Sequence, residues 1–138
     1  MIVTIDGPAG AGKSSAARKL AQRLGFRFLD TGAMYRSVAL LAWRRQIDFR
    51  DQQQLAQIAR EMDLELSEDA VIVNGEDVTQ AIRSFEITTL TRYAADCRSV
   101  RDELTRRQRE FAAEVDVVTE GRDQATVVFP DAECKIFL

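Results

Sequence analysis

An α/β fold built on a parallel sheet is the fold class that the sequence predicts, and three observations support it. Short runs rich in β-branched residues alternate with helical patterns in the order strand, helix, strand, helix, which is typical of a parallel sheet flanked by helices. A glycine-rich segment, GPAGAGKS at residues 7–14, joins the first strand directly to the first helix. The length of 138 residues allows one domain with a hydrophobic core.

The first part of the chain contains two predicted strands and three predicted helices. Apolar residues at helical spacing predict the helices, and short β-branched or aromatic runs predict the strands. Gly25 is positioned to end the first helix, and Asp51 lies near the start of the third. In chain order these segments are MIVTID (1–6), SSAARKLAQRLG (14–25), FRFLD (26–30), GAMYRSVALLAWRRQ (32–46) and DQQQLAQIAREM (51–62).

The pattern changes in the middle of the chain. LELSEDAVIVNGEDVT at 64–79 contains two alternating runs followed by NGED, and this arrangement predicts a small antiparallel hairpin. The hairpin interrupts the succession of strands and helices, so we interpret residues 64–95 as an insert. The predicted core then consists of residues 1–63 and 96–138.

The last part of the chain predicts a helix and two buried strands. SVRDELTRRQREFAAE at 99–114 places Val100, Leu104 and Phe111 on one helical face. The two strands are VDVVTEG (115–121) and CKIFL (134–138). Parallel sheets of this kind normally continue with a helix after such a strand, so we expect this chain to be part of a longer protein.

Composition argues against several classes of function. The chain has no histidine, which removes Ser-His and Cys-His catalytic arrangements. Cys97 and Cys134 are far apart in sequence, and we expect two reduced, partly buried thiols rather than a disulfide or a metal site. The net charge of −3 argues against binding to nucleic acid. No apolar run approaches the roughly 18 residues of a membrane helix, and no signal peptide is evident, so we expect a cytoplasmic protein.

The segment at residues 7–14 matches the phosphate-loop pattern G-x-x-x-x-G-K-[ST] through Gly7, Gly12, Lys13 and Ser14. Glycines let the backbone wrap around a phosphate, and the following helix directs its positive end toward the same anion. Lys13 adds a charge for the outer phosphates, and Ser14 offers a hydroxyl to Mg²⁺. The alternative interpretation is an ordinary glycine-rich turn. The N-K-x-D signature of a GTPase does not occur in the sequence.

Several further stretches lie where ligand loops or cationic side chains are expected. They are IDGPAGAGKSS, DTGAMYR (30–36), NGEDVTQAIR, VRDELTRRQR (100–109) and TEGRDQATVVFPDAECKIFL (119–138). In combination they resemble the bacterial cytidylate kinase family, within the nucleoside monophosphate kinases, over the whole chain. The resemblance implies a P-loop NTPase-type parallel sheet with flanking helices and a monophosphate-binding insert that contains the hairpin. It also implies that the first strand lies between strands 115–121 and 134–138.

The resemblance implies roles for individual residues. Lys13 and Arg122 are the implied catalytic residues, and Ser14 and Glu120 are the implied Mg²⁺ ligands. The implied ATP site consists of Gly7, Pro8, Ala9, Gly10, Ala11, Gly12, Lys13, Ser14 and Ser15. The implied CMP site consists of Thr31, Arg36, Arg101, Arg122 and Asp123. An arginine paired with a carboxylate complements the cytosine edge, which presents one amino donor beside ring acceptors.

The sequence departs from the family pattern at several positions. Glu120 stands where many members have aspartate, and Arg92 stands where some members have a serine that contacts cytosine. Family members also continue past Leu138 with an arginine-bearing lid. The resemblance thus implies transfer of the ATP γ-phosphoryl group to CMP or dCMP by a protein that is monomeric when full length. The alternatives are another small-molecule P-loop kinase and a nucleotide-binding module without turnover.

Overall fold

The computed structural model describes all 138 residues, Met1–Leu138. The chain divides into two compact units, one formed by Met1–Thr31 with Arg107–Leu138 and the other by Gly32–Arg106. The seven strands are β1 (Ile2–Asp6), β2 (Arg27–Asp30), β3 (Leu64–Leu66), β4 (Val71–Val73), β5 (Glu76–Asp77), β6 (Val117–Gly121) and β7 (Cys134–Phe137). The five α-helices are α1 (Lys13–Leu24), α2 (Thr31–Arg44), α3 (Gln52–Glu61), α4 (Phe85–Asp96) and α5 (Arg98–Ala113).

A four-stranded parallel sheet is the frame of the first unit. Its strand order is β2-β6-β1-β7, so β1 lies between β6 and β7, as the sequence resemblance implied. Asp6 at the end of β1 is level with Gly121 on β6, and Asp30 at the end of β2 is level with Glu120. The parallel α/β fold is therefore confirmed, and the carboxyl ends of three neighbouring strands meet at one edge of the sheet.

The two faces of this sheet differ in chemistry. Val3, Ile5 and Val118 face α1 and pack in one apolar cluster with two small residues of that helix, Ala17 and Ala21. Small residues let the helix approach the sheet closely, which favours dense packing. Side chains alternate along a strand, so Thr4 and Thr119 point to the other face. These two threonines are register partners, both are fully buried, and neither hydroxyl has a hydrogen-bond partner.

The exposure of strand β7 differs from two sequence predictions. It lies at the edge of the sheet with β1 as its one strand neighbour, and Phe137 is 78% exposed. In this chain CKIFL is therefore exposed or half-buried, whereas its apolar pattern predicts a buried strand. Cys134 on this strand is exposed rather than partly buried, whereas Cys97 is a buried free thiol.

The second unit contains an antiparallel sheet with strand order β3-β4-β5. The predicted hairpin is confirmed, with Leu64 opposite Val73. Asn74 and Gly75 join β4 to β5, and both have positive φ, of 51° and 83°, as a type I′ turn requires. This sheet lies inside the compact unit Gly32–Arg106. The narrower insert at 64–95, and its role in binding CMP, stay predictions.

The helices of the second unit follow the sequence signals. Five consecutive residues of α2, Val38–Ala42, are buried, so this helix is enclosed on most sides by apolar contacts. Asp51 caps α3 by accepting a hydrogen bond from the Gln54 N–H, and Ser84 caps α4 in the same way through the Ile87 N–H. None of the helices combines the length and the apolar composition that crossing a bilayer requires.

We expect Arg44→Met to raise the pKa of Glu76. The Arg44 guanidinium donates hydrogen bonds of 2.8 and 2.9 Å to the two Glu76 carboxylate oxygens, and this contact lowers the pKa of Glu76. The pair therefore stabilises the folded unit above the ordinary glutamate pKa of about 4.3, and this stabilisation is lost as the pH falls through the lowered value. Carboxyl NMR titration of Glu76 measures the shift. Arg45→Met is the matched control, and equal Glu76 titrations in the two variants would contradict the assignment.

Candidate active site

The glycine-rich loop between β1 and α1 has the conformation of an anion-binding loop. Gly10 and Gly12 have φ of 81° and 83°, values that side chains other than glycine rarely adopt. Gly12 is the N-cap residue of α1 and has no side chain that could cap the first turn. The N–H groups of that turn therefore remain available to a ligand. The residues from Pro8 to Gly12 are exposed. An anion at this position would meet both the N–H groups and the positive end of α1.

Lys13 is the first residue of α1, and its side chain turns back toward the loop. The ammonium group donates a hydrogen bond to the main-chain oxygen of Pro8, with Nζ 3.3 Å from that oxygen. Lys13 is half-buried, whereas Ser15 is exposed. The lysine therefore holds its charge over the loop, where a phosphate oxygen could replace the Pro8 carbonyl as its partner.

Ser14 and Glu120 connect the loop to strand β6. The Ser14 hydroxyl donates to the Glu120 carboxylate, with Oγ 2.5 Å from Oε1, and Glu120 is 7% exposed. A hydroxyl and a carboxylate are hard oxygen ligands of the kind that Mg²⁺ prefers. The two groups predicted to hold Mg²⁺ therefore lie together at the edge of the phosphate loop, and the chemistry of their oxygen atoms fits that ion.

Thr31 is attached to the same strand through a main-chain contact. Its hydroxyl donates to the main-chain oxygen of Glu120 at 2.8 Å, and the residue is 5% exposed. A hydroxyl that donates one hydrogen bond still has lone pairs with which to accept another. Thr31 is thus held in place by β6, and its predicted contact with the substrate phosphate stays a prediction.

The segment after β6 carries Arg122 and Asp123. Arg122 is exposed and Asp123 is half-buried. The main-chain oxygen of Asp123 accepts hydrogen bonds from Val127 N at 2.9 Å and Val128 N at 3.2 Å, which begin a single π-helical turn over Gln124–Val128. π-helical turns are rare and occur often at functional sites. The turn follows Asp123 directly and holds its main chain from the carboxyl side.

Three buried polar residues in this region were not predicted from the sequence. The Asp6 carboxylate accepts hydrogen bonds from Gln124 N and Ala125 N, each at 2.9 Å. The Gln124 side chain donates to Gln108 Oε1 at 3.2 Å, and both glutamines are almost fully buried. Asp6 had one signal in the sequence, because an acid at the end of a buried strand is unusual. The glutamines had no such signal, since glutamine is common on exposed helical faces.

The remaining predicted substrate residues belong to the second unit. Arg36 lies in α2 and is half-buried, and Arg101 lies in the first turn of α5 and is exposed. Arg92 is exposed on α4, where its guanidinium lies 4.9 Å from the centre of the Tyr93 ring and donates to the Tyr93 hydroxyl at 3.1 Å. The roles of Arg36 and Arg101 in binding CMP stay predictions.

The parallel sheet, the glycine loop and the Lys13–Ser14 pair define a P-loop protein of the α/β class. The sequence pattern of the family described as cytidylate kinase matches residues 3–138. The chain is 49% identical to the cytidylate kinases of Rhodopirellula baltica and Solibacter usitatus, over its entire length and 60% of each relative. It is also 46% identical over 142 aligned positions to the bifunctional pantoate ligase/cytidylate kinase of Synechococcus sp. strain CC9605, covering 99% of this chain and 30% of that protein.

The chain therefore belongs to the cytidylate kinase family. It spans about three fifths of the length of the cytidylate kinases of Rhodopirellula baltica and Solibacter usitatus.

We expect Gly121→Ala to destabilise the first unit. A Cβ atom at residue 121 would lie 3.0 Å from the Gln124 side chain and 3.0 Å from Thr31 Oγ1. Both neighbours are buried and hydrogen-bonded, so they cannot move aside without losing contacts. Overpacking of this kind costs about 1–3 kcal/mol. Urea unfolding followed by circular dichroism measures the loss, and a midpoint equal to that of the unmodified chain would contradict the close packing around Gly121.

Proposed function

We propose that this chain forms the nucleotide-binding core of a kinase that transfers the ATP γ-phosphoryl group to CMP or dCMP. The products are ADP and CDP or dCDP. Membership of the cytidylate kinase family over residues 3–138 supports the reaction class. The observation that carries the assignment is the 2.5 Å contact between the Ser14 hydroxyl and the Glu120 carboxylate, because it joins a phosphate loop to an acid at the end of a neighbouring strand.

The chain's own contribution to the reaction is positioning and charge neutralisation. The terminal phosphoryl group leaves the ADP oxygen and is accepted by a phosphate oxygen of CMP, without a covalent intermediate on the protein. The loop from Gly7 to Ser15 would hold the ATP phosphates through its N–H groups. Lys13 would exchange its contact with the Pro8 oxygen for a phosphate oxygen and stabilise the charge that shifts during transfer.

Mg²⁺ would be held by Ser14 and Glu120, together with oxygen atoms of the nucleotide. When bound, the ion supplies neutralisation of phosphate charge. The Glu120 carboxylate, at a position where many family members have aspartate, lies within hydrogen-bond distance of the Ser14 hydroxyl. Glu120 would therefore orient the Ser14 hydroxyl as well as contribute charge.

The acceptor nucleotide would be read by charge and hydrogen bonds. Arg122, together with Arg36 and Thr31, would bind the CMP phosphate, since guanidinium groups neutralise and orient phosphate oxygens. Asp123 and Arg101 would pair with the donor and acceptor edge of cytosine. Residues 64–95 would act as the CMP-binding insert. We further propose that the full-length protein works as a cytoplasmic monomer on small-molecule substrates, without nucleic acid or membrane partners.

A nucleotide panel tests this function. The complete product of the reading frame that encodes this chain is incubated with ATP, Mg²⁺ and one of CMP, dCMP, UMP or AMP, and ADP is measured by a coupled assay. Preferential phosphorylation of CMP or dCMP is the expected result. Preference for another acceptor would favour a different P-loop kinase. Nucleotide binding without turnover of any acceptor would favour a binding module.

We expect Lys13→Ala to lower kcat/KM for phosphoryl transfer at least about 100-fold, because removing one donor to developing charge costs about 10²–10³ in rate. Lys19→Ala is the matched control, since Lys19 is an exposed lysine on the same helix. Circular dichroism establishes that both variants are folded. Retention of normal activity by Lys13→Ala would refute the role of Lys13.

We expect Asp123→Ala to weaken CMP binding and leave ATP binding intact. A paired carboxylate that reads a base edge is worth about 1–3 kcal/mol, and isothermal titration calorimetry measures both affinities. Asp131→Ala removes an exposed acid nearby in sequence and is the control. Reduced ATP affinity with unchanged CMP affinity would show that Asp123 does not read cytosine.

A further inference from the structure

Asp6 is a buried carboxylate to which neither the sequence nor the proposed reaction assigns a role. It is the last residue of β1, is 6% exposed, and directly precedes the phosphate loop. No lysine or arginine forms an ion pair with it. Its two oxygens are instead bonded separately, Oδ1 to Gln124 N and Oδ2 to Ala125 N, both at 2.9 Å. Burying a polar group is costly unless hydrogen bonds compensate it, and these two N–H groups supply that compensation for both Asp6 oxygens.

The segment that Asp6 holds is also fixed at its other end. The Arg109 guanidinium donates to the main-chain oxygens of Val127 and Val128, each at 3.0 Å. The π-helical turn therefore has an acid on its amino end, where N–H groups lack partners, and a cation on its carboxyl end, where oxygens lack partners. Both contacts are made by side chains outside the turn, so its position is set by β1 and α5.

Asp6 and its partner Gln124 each lie next to one half of the proposed site. Asp6 is followed by Gly7, the first residue of the phosphate loop, and Gln124 is preceded by Asp123. The Gln124 side chain is in turn held by Gln108 at 3.2 Å. Glu120 and Gly121 hold the segment from its amino side as part of β6. The main chain carrying Arg122 and Asp123 is therefore tied to the sheet on one side and to Asp6 on the other.

We propose that Asp6 is a positioning residue that sets the place of Arg122 and Asp123 relative to the phosphate loop. This proposal rests on the proposed function of Asp123 as a reader of cytosine. The phosphate loop itself takes its shape from its glycines and from α1, neither of which hydrogen-bonds to the Asp6 carboxylate. Loss of the carboxylate should therefore displace the segment that carries Arg122 and Asp123 and leave the phosphate loop in place.

The test compares Asp6→Asn with the unmodified protein, using the complete product of the reading frame. Asparagine keeps the shape of the side chain but presents one acceptor and one donor to two N–H groups. We expect the KM for CMP to rise about tenfold or more, while the KM for ATP changes less than twofold. Amide hydrogen exchange should become faster at Gln124 and Ala125. A role confined to stability would not separate the two KM values.

Thr4→Val is the matched control. Thr4 lies two residues earlier on β1, and its buried hydroxyl has no hydrogen-bond partner, so the isosteric change should alter neither KM nor exchange at 124–125. If Asp6→Asn does not fold, Asp6→Ser retains a small neutral acceptor and undergoes the same measurements. An unchanged KM for CMP, or equal rises in both KM values, would overturn the role of Asp6 while leaving the proposed function intact. Failure of the unmodified protein to phosphorylate CMP would overturn both.

Discussion

The parallel pairing of β1 with β6 is the constraint on which the rest of the candidate site depends. In the register of this pairing Asp6 lies opposite Gly121, so the loop after β1 begins beside the loop after β6. Open α/β sheets bind ligands at this edge, beyond the carboxyl ends of the strands. Glu120 is the penultimate residue of β6 and contacts two neighbours, Ser14 through its side chain and Thr31 through its main-chain oxygen.

Most buried polar groups of the first unit form a hydrogen bond that compensates their loss of water, and a few do not. Asp6, Gln124 and Gln108 form a connected series between β1 and α5. Thr4 and Thr119 are exceptions on the adjacent strands, since both hydroxyls are buried without partners, and Gln124 Oε1 is an exception within the series itself. Unpaired buried polar groups lower the stability of a fold. The Thr4 and Thr119 hydroxyls therefore destabilise the face of the sheet to which they point. The other face packs against α1 through an apolar cluster that includes Val3, Ile5 and Val118.

Much of the fold was accessible from the sequence, as was the phosphate loop, because these features depend on local patterns. Helices α1, α2, α3 and α5 follow apolar spacing, and the hairpin follows from Asn74 and Gly75. The local pattern does not show the edge position of β7, because a strand at the edge of a sheet has the same apolar composition as one in its centre; the resemblance implied the strand order instead. The contacts of Asp6 were not accessible either, since they join residues 118 and 119 positions apart in the chain.

The sequence by itself determined the class of fold, the glycine-rich loop with Lys13 and Ser14, and the resemblance to the cytidylate kinase family. These follow from residue types at fixed short spacings, where backbone geometry leaves few alternatives. Tertiary structure alone decided that Asp6 meets the N–H groups after Asp123 and that Gln108 meets Gln124. Such pairings depend on strand order and register, and these are set by long-range packing that no local pattern encodes.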